Sequence, residues 1–342
     1  MSHAIYIGRF RPFHNGHLSS ITQAFSDLSL DKMTILVGSC NRHRSPKNPF
    51  VFEEVQTMIL SSLPTELISK VEVKSLYDHS SNDVWATEVR DRTKGATHIV
   101  GFNKDESSFY LKLFPELKNY EPVPIALHGT PLSARDVRIH YFNGDLFRGS
   151  NVAVRLPQGT IQFLEEWRRT EHFEDIRAEH VSAVREEQKF ANYPYEGHLN
   201  IACADNVVTC AGHVLLGVRK HNPGKGCYAL PGGHKADNET FLTAALRELY
   251  EETNIKVPEK VLRGSIVDEK MFDDPTRSYP HTRITMAYHI DIALDNNNKL
   301  PRVTPADDLE SVAWVPMSEV REHQHLMYDD HYQIVQHFTG IY

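Results

Sequence analysis

A chain of 342 residues, 40% hydrophobic and 24% charged, has the composition of globular protein and a length suited to two domains of roughly 150 to 190 residues each. Its formal net charge of −8 excludes non-specific binding to DNA or RNA, whose phosphates demand a basic surface, and no apolar run approaches the roughly 20 residues that span a bilayer. The N-terminus carries no basic-then-apolar signal pattern. Cys40, Cys203, Cys210 and Cys227 form no C-x2-C pair, so neither a zinc site nor a disulfide framework is expected, and the expected setting is reducing and cytoplasmic.

The first 130 residues alternate short apolar runs with helical periodicity. Residues 4–7, 33–37, 71–76, 97–100 and 124–127 read as strands, and 16–28 and 53–63 as helices with apolar residues at three- and four-residue spacing. Such alternation predicts an α/β fold, a doubly wound parallel sheet with ligands at the carboxyl ends of its strands. From Pro157 to Gln188 the chain turns charged and helix-prone, which predicts closing helices. Tyr193-Pro-Tyr-Glu-Gly197 punctuates it, so the expected division is a first domain over 1–190, a linker over 191–197 and a second domain over 198–342. Beyond it, 201–210 and 213–219 read as a hairpin turning at Ala211-Gly212. A helix over 240–253, strands over 262–267, 284–292 and 313–315, and a last helix around 331–338 complete an α+β pattern. Asp295-Asn-Asn-Asn298 reads as a polar turn.

Gly8-Arg-Phe-Arg-Pro-Phe-His-Asn-Gly-His17 follows the first strand and opens the first helix. Glycines at 8 and 16 admit close backbone approach, and a helix N-terminus attracts phosphate. His14 and His17 face one another across the first turn, where they can donate to phosphate oxygens, with Arg9 and Arg11 adding positive charge. Adenylyl transfer needs this kind of site, since it depends on alignment and charge neutralisation more than on covalent chemistry. Trp85, near the start of an expected helix, suits core packing or a stacking platform for a cationic ring. Arg42, His43, Arg44 and Lys47 read as a solvated basic loop or a phosphate clamp.

The second pattern is G-x5-E-x7-R-E-x2-E-E, filled by Gly233, Glu239, Arg247, Glu248, Glu251 and Glu252. Glu248, Glu251 and Glu252 fall at i, i+3 and i+4, so their carboxylates share one helical patch. Like charges so placed call for cations, and oxygen-only ligands point to Mg2+, or Mn2+ in its place. Leu242, Ala245, Leu246 and Leu249 form the buried stripe opposite. Arg247 can reach Glu251 one turn on, and Asp237 or Asn238 is expected to cap the helix.

The first segment resembles the H-x-G-H nucleotidyltransferases, in particular the archaeal-type nicotinamide mononucleotide adenylyltransferases. The likeness extends to Asn48-Pro-Phe50, to Trp85, and to Leu132-Ser-Ala-Arg-Asp-Val-Arg138, where Arg135 stands in place of a threonine; Arg11 likewise replaces the commoner glutamine. The second segment resembles the Nudix hydrolases, with Asn254 in place of the usual final glycine, a change that left-handed geometry tolerates. The joined architecture, a Rossmann-like nucleotidyltransferase followed by an α+β Nudix domain, resembles two-domain proteins of bacteria and viruses. That resemblance implies condensation of nicotinamide mononucleotide with ATP to NAD and pyrophosphate, with His14, His17, Ser133 and Arg138 on the phosphates. Gly8, Arg9, Phe10, Arg11, Gly16, Asn48 and Trp85 are the further substrate contacts it implies. For the second domain it implies Mg2+-dependent hydrolysis of ADP-ribose to AMP and ribose 5-phosphate. There Glu248, Glu251 and Glu252 hold metal, Glu251 and Glu252 act in catalysis, Gly233 contacts substrate, and Glu239 and Arg247 give support. The rival expectations are another phosphorylated acceptor with a different Nudix substrate, and a Nudix domain that only senses a nucleotide.

Overall fold

Four of the apolar runs and their flanking helices become most of a wound sheet because those strands are largely buried on both faces and need a helix on each. A computed structural model describes residues 2–102, 106–124, 126–127, 130–131, 133–148, 151–189 and 199–341. The chain divides into two units, at Arg177/Ala178. In the first, β1 (His3–Gly8), α1 (Asn15–Leu28), β2 (Lys32–Val37), α2 (Phe52–Ser62), α3 (Thr65–Ile68), β3 (Val71–Ser75), α4 (Asn82–Arg92), β4 (His98–Val100) and β5 (Lys118–Tyr120) follow one another. The sheet order is β3-β2-β1-β4-β5, every pair parallel. β1 is the strand at which the winding reverses, so the crevice for a ligand lies at its carboxyl end, where Gly8 leads into the loop before α1.

The fifth strand differs from expectation. Residues 118–120 form it, polar and exposed at the sheet edge, so no apolar run marks it. β6 (Ala126–Leu127) instead pairs with β7 (Thr130–Pro131) in a separate two-stranded ribbon. Then come α5 (Ala134–Asn143), α6 (Gln158–Trp167) and α7 (Glu171–Lys189). Phe142, Leu164, Trp167, Phe173 and Ile176 join Ile21, Phe25, Val55 and Met58 in the main core of this unit.

The second unit is built on β8 (Asn200–Cys210), β9 (His213–Arg219), β10 (Tyr228–Ala229), β11 (Gly232–His234), α8 (Phe241–Thr253), α9 (Glu259–Gly264), β12 (Ile266–Phe272), β13 (Thr282–Asp291), β14 (Leu309–Pro316), α10 (Met317–Glu322) and α11 (His331–Thr339). Its mixed sheet runs β10-β9-β8-β13-β12, with β11 on β8 and β14 on β9. The expected hairpin is present, with Ala211 at φ 45° and Gly212 at φ 76°, both left-handed as a tight hairpin turn requires. The strand expected over 262–267 begins later: 259–264 is α9, entered through Pro258, and β12 starts at Ile266. β8 splits its alternate side chains between two helices. Ala204, Val208 and Cys210 meet Leu246 and Leu249 of α8 on one face, while Val207 meets Ile334 and Val335 of α11 on the other. Among the described residues no helix is long and apolar enough to cross a membrane.

The expected linker 191–197 lies outside the described residues. Ahead of it, the later part of α7 belongs with the second unit. Glu186 pairs with Arg283 at 2.7 Å, both side chains at least four-fifths buried, and Glu179 accepts from the Gly224 N–H at 3.5 Å. A fragment beginning at residue 198 therefore leaves Arg283 without its carboxylate, a loss on the order of 3 kcal/mol for a largely buried pair. Its melting temperature should lie roughly 5 to 10 °C below that of a fragment beginning at residue 171; equal melting of the two by circular dichroism would show that α7 contributes no stability there.

Candidate active sites

The first site is held by helix ends. The initial N–H groups of a helix have no partner within it, and in α1 two of them are taken by imidazoles. His14 is the N-cap, and its Nδ1 accepts from the His17 N–H at 3.4 Å; His17 Nδ1 accepts in return from the His14 N–H at 3.2 Å. This is a capping box made of two histidines. The rings stack 3.6 Å apart at 18°. A ring nitrogen that accepts a backbone N–H carries no proton, so in each neutral ring the proton resides on Nε2. Both rings are thereby fixed as Nε2–H donors, the form that suits phosphate oxygens. Tyr6, Phe10 and Phe13 pack around His17, Phe13 stacked on it at 5.6 Å.

The remaining residues expected at this site divide by place. Phe10 is 2% exposed and adopts φ 53°; it packs beneath the loop. Gly8 belongs to the same packing, since a methyl there would meet the Phe10 ring at 2.8 Å. Arg11 is 1% exposed and donates to the carbonyls of Phe50 (2.8 Å), Gly38 (2.6 Å) and Arg9 (3.1 Å), so it ties the loop to the end of β2 and to the 48–50 segment. Arg138 of α5 reaches the same loop, donating to the Arg11 carbonyl at 2.6 Å. Ser133 caps α5 through the Arg135 N–H at 3.2 Å, one turn before Arg138. Arg9 stays exposed, and Gly16 lies in the first turn of α1. Asn48 is buried and donates to the His43 carbonyl at 3.3 Å. Trp85 is partly exposed and packs by its edge near Tyr110 and Phe114.

The basic loop after β2 is neither solvated nor free. Arg44 binds Glu54 in a fork, at 2.6 and 3.0 Å, and Glu54 also accepts from Trp167 Nε1 and from the Val51 N–H. Arg42 meets Asp78 at 2.8 Å. Burial alone would raise the Asp78 carboxyl; Arg42 and Ser39 outweigh it and hold it below the ordinary range. These acids, distant in sequence from the loop, carry no motif of their own.

In the second unit Gly233 of β11 lies against α8 and Gly232 against β8, each so closely that side chains are excluded. A methyl at Gly233 would meet the Glu248 carboxylate at 2.5 Å, and one at Gly232 would meet Asp205 Oδ1 at 2.2 Å. Glu252, 7% exposed, accepts from the Gly232 N–H at 3.0 Å. Arg247 is the cation of the cluster. It forks onto Glu239 at 2.7 and 3.1 Å, reaches Glu248 at 2.9 Å and Glu251 at 2.8 Å, and donates to the His234 carbonyl. Glu239 also accepts from the Ala236 N–H, and Arg247 with that N–H brings its carboxyl down to about 2. Burial dominates at the other two: it pushes Glu252 up to about 8 and raises Glu248, with neighbouring carboxylates adding to both. The helix cap is Thr240, whose hydroxyl accepts from the Thr243 N–H at 3.2 Å, not Asp237 or Asn238; those two precede the turn that admits Glu239 to Arg247. Asn254 ends α8 at φ 45°, as expected of a residue standing for glycine.

The donor set is oxygen only, one arginine spans three carboxylates, and burial raises Glu248 and Glu252. A hard divalent cation fits such a cluster. Among the described residues no three His, Cys, Asp or Glu side chains are placed to hold a metal ion, and Arg247 engages Glu248 and Glu251. Sequence reasoning missed the buried pairs on the other face of the sheet. Arg277 forks onto Asp330 at 2.9 and 2.8 Å, and His331 Nδ1 accepts from the Leu230 N–H at 2.9 Å.

Comparison with known proteins finds relatives for both units. The Cytidylyltransferase-like family matches residues 5–111 and the NUDIX domain family matches residues 201–338. The chain is 31% identical over 179 residues to the nicotinamide/nicotinic acid mononucleotide adenylyltransferase of Acinetobacter baylyi, covering 51% of this chain and 90% of that protein. It is 38% identical over 166 residues to the nicotinamide-nucleotide adenylyltransferase of Methanolobus tindarius, covering 48% and 89%. The crystal structure of a bifunctional NMN adenylyltransferase/ADP ribose pyrophosphatase from Francisella tularensis, complexed with AMP and a manganese ion, is 30% identical with a TM-score of 0.86, covering 99% of this chain and 98% of that one. The likeness thus runs through both units over nearly the whole length, and the chain belongs to the family of nicotinamide mononucleotide adenylyltransferases fused to a Nudix hydrolase domain.

Proposed function

We propose that the first unit joins nicotinamide mononucleotide to ATP, giving NAD and pyrophosphate, and that the second hydrolyses ADP-ribose to AMP and ribose 5-phosphate. The observation that carries the first reading is the reciprocal His14–His17 cap, which presents two Nε2–H donors at the carboxyl end of the strand where the sheet reverses. In the transfer, a phosphate oxygen of the mononucleotide attacks the α-phosphorus of ATP, and the bond from that phosphorus to the β-bridging oxygen breaks. Negative charge gathers on the α- and β-phosphate oxygens. His14 and His17 donate to them, and Arg138, with exposed Arg9 near the loop, supplies positive charge. Arg11 holds the loop from beneath. Trp85 offers its partly exposed ring to the cationic nicotinamide.

The second reading is supported by the two glycines pressed against Asp205 and Glu248 while Arg247 pins the glutamate helix. Glu248, Glu251 and Glu252 are the residues that would hold Mg2+ or Mn2+, which when bound neutralises charge on the pyrophosphate. Arg247 and Glu239 orient those carboxylates. Gly232 and Gly233 let substrate approach the helix, and Glu252, held by the Gly232 N–H, would act beside the cation in the cleavage. A reducing, cytoplasmic setting belongs to the same proposal, since all four cysteines are unpaired.

Replacing His17 by Ala removes a transition-state donor together with half of the reciprocal cap. NAD formation should fall about 10^2-fold or more, while ADP-ribose hydrolysis continues. Glu252→Gln should give the converse pattern. Loss of both activities in either variant, measured by chromatography of the products, would contradict two independent sites.

Glu252 sits at about 8, well above its ordinary 4.5, as does Glu179. The folded state therefore holds protons that the unfolded state releases, and stability is lost as pH rises from about 4.5 through about 8. Metal-free protein should melt lower at pH 8 than at pH 6. Mn2+ binding displaces the Glu252 proton, so added Mn2+ should raise the melting temperature more at pH 8. A Mn2+ effect independent of pH would place the cation away from Glu252.

A further inference from the structure

Residues 230–232, at the entry to β11, are each held by a different side chain. The Leu230 N–H goes to His331 Nδ1 at 2.9 Å. The Pro231 carbonyl accepts from the Asn206 N–H at 2.9 Å and from Asn206 Nδ2 at 3.1 Å, and that same amide donates to the Ala245 carbonyl of α8 at 2.8 Å. The Gly232 N–H then holds Glu252 at 3.0 Å. Asn206 belongs to β8 and Glu252 to α8, whereas His331 comes from 101 positions beyond the residue it binds.

The backbone around His331 shows why a side chain is needed there. Tyr228 bridges Met327 in parallel register, and the Tyr328 N–H donates to the Tyr228 carbonyl at 2.8 Å. A parallel ladder would next join the Leu230 N–H to the Tyr328 carbonyl. It stops there because Asp329 adopts φ 43° and the chain turns into α11, so the Tyr328 carbonyl accepts from the His331 N–H at 3.0 Å instead. The His331 ring, edge-on to Tyr328 at 5.4 Å, supplies the acceptor that the ladder no longer gives. Leu230 and His331 are 2% and 7% exposed; an N–H enclosed there without an acceptor is costly to keep, and the segment would shift to satisfy it. Gly232 lies two residues on. Its N–H turns one oxygen of Glu252 inward, so a displaced Gly232 releases the carboxylate assigned to the cation.

We propose that His331 is a positioning residue of the second site: by accepting the Leu230 N–H it fixes Gly232, and through Gly232 the Glu252 carboxylate that would hold the divalent cation. The proposal rests on the reading of Glu252 as a cation ligand. Groups that orient a metal ligand from behind change metal affinity or activity by about 10- to 100-fold when they are removed.

The test is calorimetric titration of Mn2+ into the metal-free full chain, with Glu252→Gln marking which binding belongs to the site. His331→Phe keeps a ring and loses the acceptor. His331→Asn keeps an acceptor, since its Oδ1 stands as many bonds from the backbone as Nδ1 does. His331→Phe should bind Mn2+ about 10- to 100-fold more weakly than the parent protein, and His331→Asn close to parent affinity. ADP-ribose hydrolysis at a Mn2+ concentration below saturation should follow the same order. Equal affinity in all three proteins would overturn the proposal by showing that the acceptor does not govern the cation. Equal weakening in both variants would overturn it by tracing the effect to ring packing. If His331→Phe does not fold, His331→Ala against His331→Asn makes the same comparison; failure of both acceptor-free variants to fold would make His331 a folding residue and overturn the proposal as well. Parent Mn2+ binding that Glu252→Gln leaves unchanged would instead defeat the reading of Glu252, and the role of His331 with it.

Discussion

Backbone N–H groups left without partners at the ends of helices and strands hold the reactive side chains of both units. His14 and His17 each accept one at the start of α1. Glu252 accepts one from Gly232, and Glu239 one from Ala236. An acceptor held this way has its protonation and direction decided before any ligand arrives. Imidazole keeps its proton on the far nitrogen, and carboxylate keeps one oxygen turned inward. Preorganisation of this kind makes positioned charge more effective than the same charge on mobile side chains.

Two arginines show how burial decides the part a cation plays. Arg11 belongs to the loop motif and reads there as a source of positive charge, but it is enclosed and gives its N–H groups to three carbonyls. Its consequence is mechanical, since the loop, the end of β2 and the 48–50 segment are fixed to one planar group. Arg247 remains accessible and collects carboxylates. It lowers Glu239 strongly while Glu248 and Glu252, more enclosed, stay raised. Glu239, just ahead of the helix, and Glu248 and Glu252 on it are thus driven in opposite directions by pairing and by burial.

Both motifs were legible because each joins a glycine to residues spaced by a single secondary-structure element. His14 and His17 are three apart at a helix start, and Glu248, Glu251 and Glu252 share one helical patch. The wound sheet was legible from apolar strands buried on both faces, and Ala211-Gly212 from the backbone geometry that hairpins need. What escaped lies in contacts that no local pattern encodes. Glu54 and Asp78 reach the basic loop from other elements. Lys118–Tyr120 is an edge strand without an apolar run. Pro258 turns residues with strand-like composition into α9. Thr240 caps α8 because the chain must first swing Glu239 toward Arg247. The pairing of Glu186 with Arg283 spans 97 positions, and its first member precedes the expected start of the second domain.

The central claim is that one chain makes a phosphoanhydride in its first unit and cuts one in its second. Phosphorus NMR of the purified full chain tests both halves in one sample. With nicotinamide mononucleotide, ATP and Mg2+, the account predicts the paired phosphorus resonances of NAD and an equal amount of pyrophosphate; subsequent addition of ADP-ribose should give AMP and ribose 5-phosphate while the NAD persists. Appearance of ADP or orthophosphate in place of pyrophosphate, or loss of NAD with ADP-ribose left intact, would contradict it.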